Sequence, residues 1–317
     1  MHTSSSVPAG GLPPASPSVL PVYLRLVLVA LFWGGTFIAG RIVSRELPSM
    51  TAAALRFAVA VPLLVLLAWR LEGGLPRLTR KQLLMTFCLG LTGIFLYNIC
   101  FFAALSRMPA GRTALFVALN PIVTALLLAL LLGERLGRVK WVGIAIAFIG
   151  AAVVITRGDL AGAWRDISAS IGLGELLMMC AVSSWAAYTI VGRFALDGLS
   201  PVAATAWASI WGLILLAAGA AFEAGGVDWR AVGWPVFLAI AYLGIFGTVI
   251  GFIWYYQGVK AIGPSRTAVF NNLVPVFGIL LAALLLGEPV LLSMVMGGLL
   301  VVGGVTLTNR QGAAGRR

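Results

Sequence analysis

The chain has 317 residues, 61% of them hydrophobic and 10% charged, with a formal net charge of +12. Soluble domains carry roughly 25% charged residues, so composition excludes a water-soluble globular fold and defines an integral membrane protein. The positive charge does not mark a nucleic-acid binder: the basic residues are scattered through short links between apolar runs, where topology signals sit.

In chain order, residues 1–22 are rich in Ser, Pro, Ala and Gly and predict a disordered tail. No small-residue cleavage site follows the first apolar segment, which reads as a retained helix rather than a signal peptide. A spanning helix needs about 20 apolar residues. Ten runs qualify: 24–43, 51–70, 83–105, 113–132, 138–156, 172–193, 201–222, 234–257, 267–286 and 290–308. Their polarity is continuous rather than alternating, which favours helices over barrel strands. The expectation is an all-α integral membrane protein with ten transmembrane helices in two inverted five-helix repeats. The first repeat covers 23–157, a connecting loop 158–170 and the second repeat 171–309, with a basic tail at 310–317.

The repeat is visible in the residues. Arg112 to Glu134 reads RTALFVALNPIVTALLLALLLGE, and Arg266 to Glu288 reads RTAVFNNLVPVFGILLAALLLGE, at an offset of 154. Trp33 matches Trp185, and Gly40-Arg41 matches Gly192-Arg193, at an offset of 152. Five spans per half is an odd number, so the second half would enter the membrane from the opposite side. Such halves can exchange conformations and expose a midplane site to each side in turn. With the amino terminus in the cytoplasm, 14 of the 22 basic residues fall inside, seven fall outside, and Arg56 lies within the second span. That bias favours both termini in the cytoplasm.

The ten spans, the early Trp33-Gly34 and the paired RTAxFxxLxPxxxxLLxxLLLGE segments resemble the EamA-domain branch of the drug/metabolite transporter superfamily. The aromatic content is similar to that of bacterial exporters of aromatic amino acids. The resemblance implies a multi-pass carrier of the bacterial inner membrane, with alternating access around a central cavity formed by helices 1, 3, 4, 6, 8 and 9.

Several residue sets are candidates for the transport path. Aromatic side chains suit flat or cationic substrates; Trp33, Tyr97, Phe101, Trp185, Tyr188 and Tyr255 are the candidates, with Tyr97 and Phe101 on one face and Trp185 and Tyr188 on another. Amides in hydrocarbon cost several kcal/mol if unpaired, so Asn98, Asn120, Asn271 and Asn272 must meet other helices or a substrate. Asn120 follows Phe116, and Asn271 follows Thr267, by four residues, which predicts shared helical faces. Pro121 and Pro275 each remove a backbone donor at matching positions and read as hinges. Arg112 and Arg266 begin matching helices and read either as interfacial anchors or as recognition groups for a substrate carboxylate. Glu134 and Glu288 suit the start of the following helix. Gly143, Gly150, Gly297 and Gly304 read as close packing sites.

All ten acidic residues fall near span ends or in loops, Glu175 being nearest the interior. A proton-coupled carrier usually holds an ionisable group at depth, so facilitated export is expected. Cys88, Cys100 and Cys180 read as small apolar residues in helices. The one histidine is His2, and no metal-ligand spacing is present, so neither a metal nor a cofactor is expected. Drugs and sugar derivatives are the rival substrates. Phosphorylated ones would want converging basic groups at depth, for which only Arg56, Arg112 and Arg266 are placed. A membrane-embedded enzyme would need carboxylates, histidines or a metal site and is disfavoured.

Overall fold

The structure is a computed structural model that describes residues 20–133, 136–159, 171–195 and 198–314; the side chains of 132, 264, 265 and 309–314 also lie outside the description. Most of the tail at 1–22 and of the loop at 158–170, together with Glu134 and 315–317, therefore lie outside the described residues.

Every apolar run becomes helix. Nine helices among the described residues are long and apolar enough to cross a membrane: α1 (Leu20–Glu46), α2 (Ser49–Glu72), α3 (Arg80–Leu105), α4 (Ala110–Leu131), α5 (Arg138–Ile155), α6 (Leu173–Ala195), α7 (Pro201–Gly226), α8 (Trp234–Ile262) and α9 (Arg266–Leu286). α10 follows (Leu292–Ala314), and its apolar part, Leu292–Thr308, is shorter. The polarity is inside out relative to a soluble protein. Leu130, Leu284 and Phe222 are 80%, 79% and 91% exposed, whereas Arg56, Asn98, Arg112, Glu175 and Thr248 are buried. A surface of this kind is stable only against lipid.

Packing follows the duplication. α5 pairs with α10, and α2 pairs with α7. α1 packs on α8 and α9, while α6 packs on α3 and α4. Glycines set the closest approaches. A Cβ on Gly143 would stand 2.6 Å from the Gly304 carbonyl oxygen, and one on Gly150 would stand 2.6 Å from that of Gly297. The four glycines thus let α5 and α10 meet backbone to backbone, as their spacing suggests.

Four helices depart from regular α geometry. α3 contains a π-helical stretch at Gly90–Leu96 and α8 another at Ile245–Ile250. α4 breaks between Val117 and Asn120, and α9 passes through a 3₁₀ turn at Phe270–Leu273. Pro121 and Pro275 each occupy the first turn of the segment after the break. There a missing N–H costs little, so these prolines start a second half-helix rather than kink a continuous one. The break also corrects one expectation: Thr267 is buried and Asn271 exposed, so they do not share a face. A 3₁₀ turn advances each residue by more than an α turn and rotates Asn271 away.

The helix ends are tied across the two halves by carboxylates. Glu288, after α9, accepts from the Ala110 and Gly111 N–H groups that open α4, at 2.8 and 2.9 Å. Glu223 on α7 accepts from Thr51 N–H near the start of α2 at 2.9 Å, and Glu46 on α1 accepts from Gly233 N–H before α8 at 2.9 Å. Ser200, which caps α7, donates to Glu72 on α2 at 2.7 Å. Each carboxylate that meets an N–H answers an unpaired donor and the positive end of a helix dipole. Glu288 therefore caps α4, not the helix that follows it in sequence.

Candidate functional site

The π-helical stretches build the centre of the molecule. Each is associated with a Leu-Gly-x-x-Gly sequence, Leu89-Gly90 to Gly93 in α3 and Leu243-Gly244 to Gly247 in α8. Gly90 lies against the Ala208 carbonyl and Trp211 of α7; Gly244 lies against the Arg56 carbonyl and Val59 of α2. Gly93 faces the Tyr188 ring of α6, and Gly247 faces Thr36 of α1. Ala208, Trp211 and Tyr188 stand 152 residues after Arg56, Val59 and Thr36, so the two halves repeat these contacts residue for residue. Absence of a side chain at Gly93 makes room for the phenol: a Cβ there would sit 2.2 Å from the Tyr188 ring.

Around this centre the aromatic candidates form two connected groups. Tyr97 stacks on Phe101 at 5.7 Å and meets Trp185 at 5.2 Å, and Trp185 meets Tyr188 at 5.1 Å. Trp33 meets Tyr255 at 5.4 Å, and Tyr255 meets Tyr256 at 6.3 Å. Thr205 on α7 joins the groups: its hydroxyl lies 3.3 Å from the Tyr256 hydroxyl and also interacts with Tyr188. Trp33 Nε1 donates to the Gly247 carbonyl at 3.1 Å. The next residue, Thr248, accepts from Arg56 Nε and Nη2 at 3.2 and 3.1 Å. Arg56 Nη1 donates to Asn98 Oδ1 at 3.1 Å, and Asn98 directly follows Tyr97 on α3. The chain of contacts closes into a ring through Arg56, Asn98 with its neighbour Tyr97, Trp185, Tyr188, Thr205, Tyr256, Tyr255, Trp33 and residues 247 and 248.

The remaining candidates take varied places. Phe101 is fully buried and packs edge-on against Phe37 at 5.4 Å, behind Tyr97. Asn98 is buried and spends its amide internally: Nδ2 donates to the Ile94 carbonyl at 2.7 Å while Oδ1 holds Arg56. Asn120 is half-buried at the α4 break, and its Oδ1 has no hydrogen-bond partner among the described residues. Asn271 is exposed and interacts with the Tyr255 hydroxyl, and Asn272 is half-buried. Arg112 pairs with Glu175 at 3.1 Å and donates to the Ile155 carbonyl, so its guanidinium already holds a carboxylate of this chain. Arg266, its counterpart in the repeat, is exposed. Cys180 is exposed, while Cys88 and Cys100 are half-buried.

One contributor escaped sequence reasoning, and another was seen without its partners. Arg56 was legible as an intramembrane charge, but the groups that hold it come from α3 and α8. Thr205 gives no signal at all. Helices α2 and α7 thus join the central group alongside α1, α3, α6 and α8.

The chain is thus an all-helical membrane bundle built from two like halves, with aromatic and hydroxyl side chains meeting between its helices. Residues 20–156 and 172–310 each match the EamA-like transporter family, and the chain belongs to that family. It is 32% identical over 287 residues to the uncharacterized transporter YyaM of Bacillus subtilis, covering 90% of this chain and 92% of that protein. It is 31% identical to an uncharacterized transporter of Archaeoglobus fulgidus, covering 91% and 99%. It is 29% identical to a probable terminal-alkyne amino-acid exporter of Streptantibioticus cattleyicolor, covering 92% and 94%. A crystal structure at 20% identity superposes with a TM-score of 0.61 over 95% of this chain and all of that one, a likeness of fold.

Proposed function

We propose that the chain is a ten-helix, inverted-repeat carrier of the bacterial inner membrane, with both termini cytoplasmic, that exports amino acids with aromatic or hydrophobic side chains by alternating access. The observation that carries this reading is the closed ring in which Trp33, Tyr97, Trp185, Tyr188 and Tyr255 are joined through phenolic and threonine hydroxyls and through Arg56. Such a ring offers flat apolar faces, which also attract an ammonium group, and hydroxyls that fix orientation. The matching contacts of Gly90 with Gly244, and of Gly93 with Gly247, support the two-fold arrangement. The amino-acid exporter among the relatives supports the substrate class.

In this reading α4 and α9 bend at their breaks, with Pro121 and Pro275 starting the halves that move. Arg112 and Glu175 close one end of the path when they pair. No acidic side chain joins the ring among the described residues, which supports facilitated export over proton coupling.

The test is uptake of labelled phenylalanine and tryptophan into proteoliposomes holding the purified protein. Saturable uptake that falls at least tenfold in Trp185→Ala supports the reading. Flat uptake of both removes the amino-acid assignment and turns the panel to drugs and sugar derivatives.

A further inference from the structure

Arg56 is 8% exposed about two turns into α2, and among the described residues its side-chain hydrogen bonds go to Asn98 and Thr248, both neutral. A guanidinium has five N–H donors; three are engaged here, leaving one on each terminal nitrogen. Charges at membrane depth normally face a partner charge or a transport path, and a buried cation with neutral partners alone retains most of its desolvation cost. Arg112, by contrast, has a charged partner in Glu175, elsewhere in the bundle. The repeat supplies a further contrast. The position equivalent to Arg56 in the second half is Ala208, so the cation is no requirement of the fold. α7 packs against the π-helical stretch of α3 through the equivalent backbone contact without it.

We propose that Arg56 is the carboxylate anchor of the substrate site, so that the transported class is an aromatic or hydrophobic carboxylate, the zwitterionic amino acid among them. This rests on the aromatic reading of the ring above. The Asn98 and Thr248 bonds hold the guanidinium plane, and its two remaining N–H donors meet the incoming carboxylate in charge-assisted hydrogen bonds. The ring of Tyr97, Trp185 and Trp33 receives the side chain. Recognition of the carboxylate thereby passes from Arg112, which Glu175 occupies, to a residue on α2.

The experiment compares L-phenylalanine, 3-phenylpropionate and L-phenylalaninamide, with the matching tryptophan series, as ligands and transport substrates. Thermal stabilisation of the wild-type protein in detergent reads binding, and proteoliposome uptake reads transport. Both carboxylates should bind, and the amide should bind at least tenfold more weakly. In Arg56→Gln the KM for the acids should rise at least tenfold, so that the preference for acid over amide is lost. Arg56→Lys should recover part of the loss, since an ammonium keeps the charge without the planar fork. Equal binding of acid and amide by the wild type would overturn the anchor while leaving the aromatic carrier standing, and so would an unchanged KM in Arg56→Gln. Failure of every compound to bind or move would overturn the aromatic reading and the anchor together. Where Arg56→Gln does not fold, the wild-type comparison still allows refutation, and Arg56→Lys carries the test of the residue.

Discussion

At the scale of single residues, the repeated Gly-Glu that ends each RTAxF segment separates into two functions. Gly133 and Gly287 take left-handed conformations, φ 66° and 64°, and their N–H groups return to Leu128 and Ala282 carbonyls. Glycine adopts that conformation without a Cβ penalty. Glu288 instead reaches the other half of the chain and closes the N-terminus of α4. Glu288→Ala should cost about 1 kcal/mol, read as a lower melting temperature in detergent, and Glu288→Gln should lose less. Glu175→Ala strands the Arg112 guanidinium in a buried setting and should destabilise by about 3 kcal/mol. Arg112→Leu combined with Glu175→Leu should recover most of that loss, because no unpaired charge remains. A double mutant no more stable than Glu175→Ala would contradict the pairing as the source of the effect.

At the scale of helices, the α5–α10 contact and the broken helices make opposite demands. The α5–α10 seam is backbone on backbone at Gly143, Gly150, Gly297 and Gly304. Valine at Gly150 has no flexible neighbour to displace and should cost about 1–3 kcal/mol. Gly303→Ala on the open side of α10, where nothing lies within 4 Å, should stabilise by about 0.5–1 kcal/mol. The breaks in α4 and α9 are the reverse case, places where regular hydrogen bonding is given up. Pro121→Ala and Pro275→Ala restore a donor and favour continuous helix. If the breaks bend during transport, both variants should lower the maximal rate of uptake several-fold while leaving KM near the wild-type value. Unchanged rates in both would remove the hinge role.

How legible each feature was depends on how it arises. The spans, the duplicated segments and the four packing glycines depend on local composition and spacing, and they read directly from the chain. Tyr97 with Phe101, and Trp185 with Tyr188, were legible because both pairs lie in regular helical stretches. The Thr267–Asn271 face was misread because a 3₁₀ turn intervenes, and nothing in FNNL announces it. The partners of Arg56 were illegible for a related reason. A π-helical stretch inserts an extra residue into the turn, which changes the facing of every residue beyond it on the helix. Asn98 lies just beyond one such stretch and Thr248 lies within the other.

For the whole molecule, facilitated export has a direct check. Uptake of the accepted substrate into proteoliposomes should be the same with and without an imposed pH gradient, at equal internal pH. Uptake that scales with the gradient would require a titrating group in the path and contradict uncoupled transport. The sequence alone determined that the chain is helical, membrane-embedded and duplicated, because lipid forces every backbone polar group into long apolar helices and duplication leaves matching residues behind. Only the tertiary structure decided which polar groups meet: Glu175 claims Arg112, the carboxylates cap helices of the opposite half, and Arg56 comes to lie between Asn98 and Thr248 at the rim of the aromatic ring. Those partners are separated by tens to hundreds of residues, and their meeting depends on helix packing and on small departures from α geometry that apolar composition does not encode.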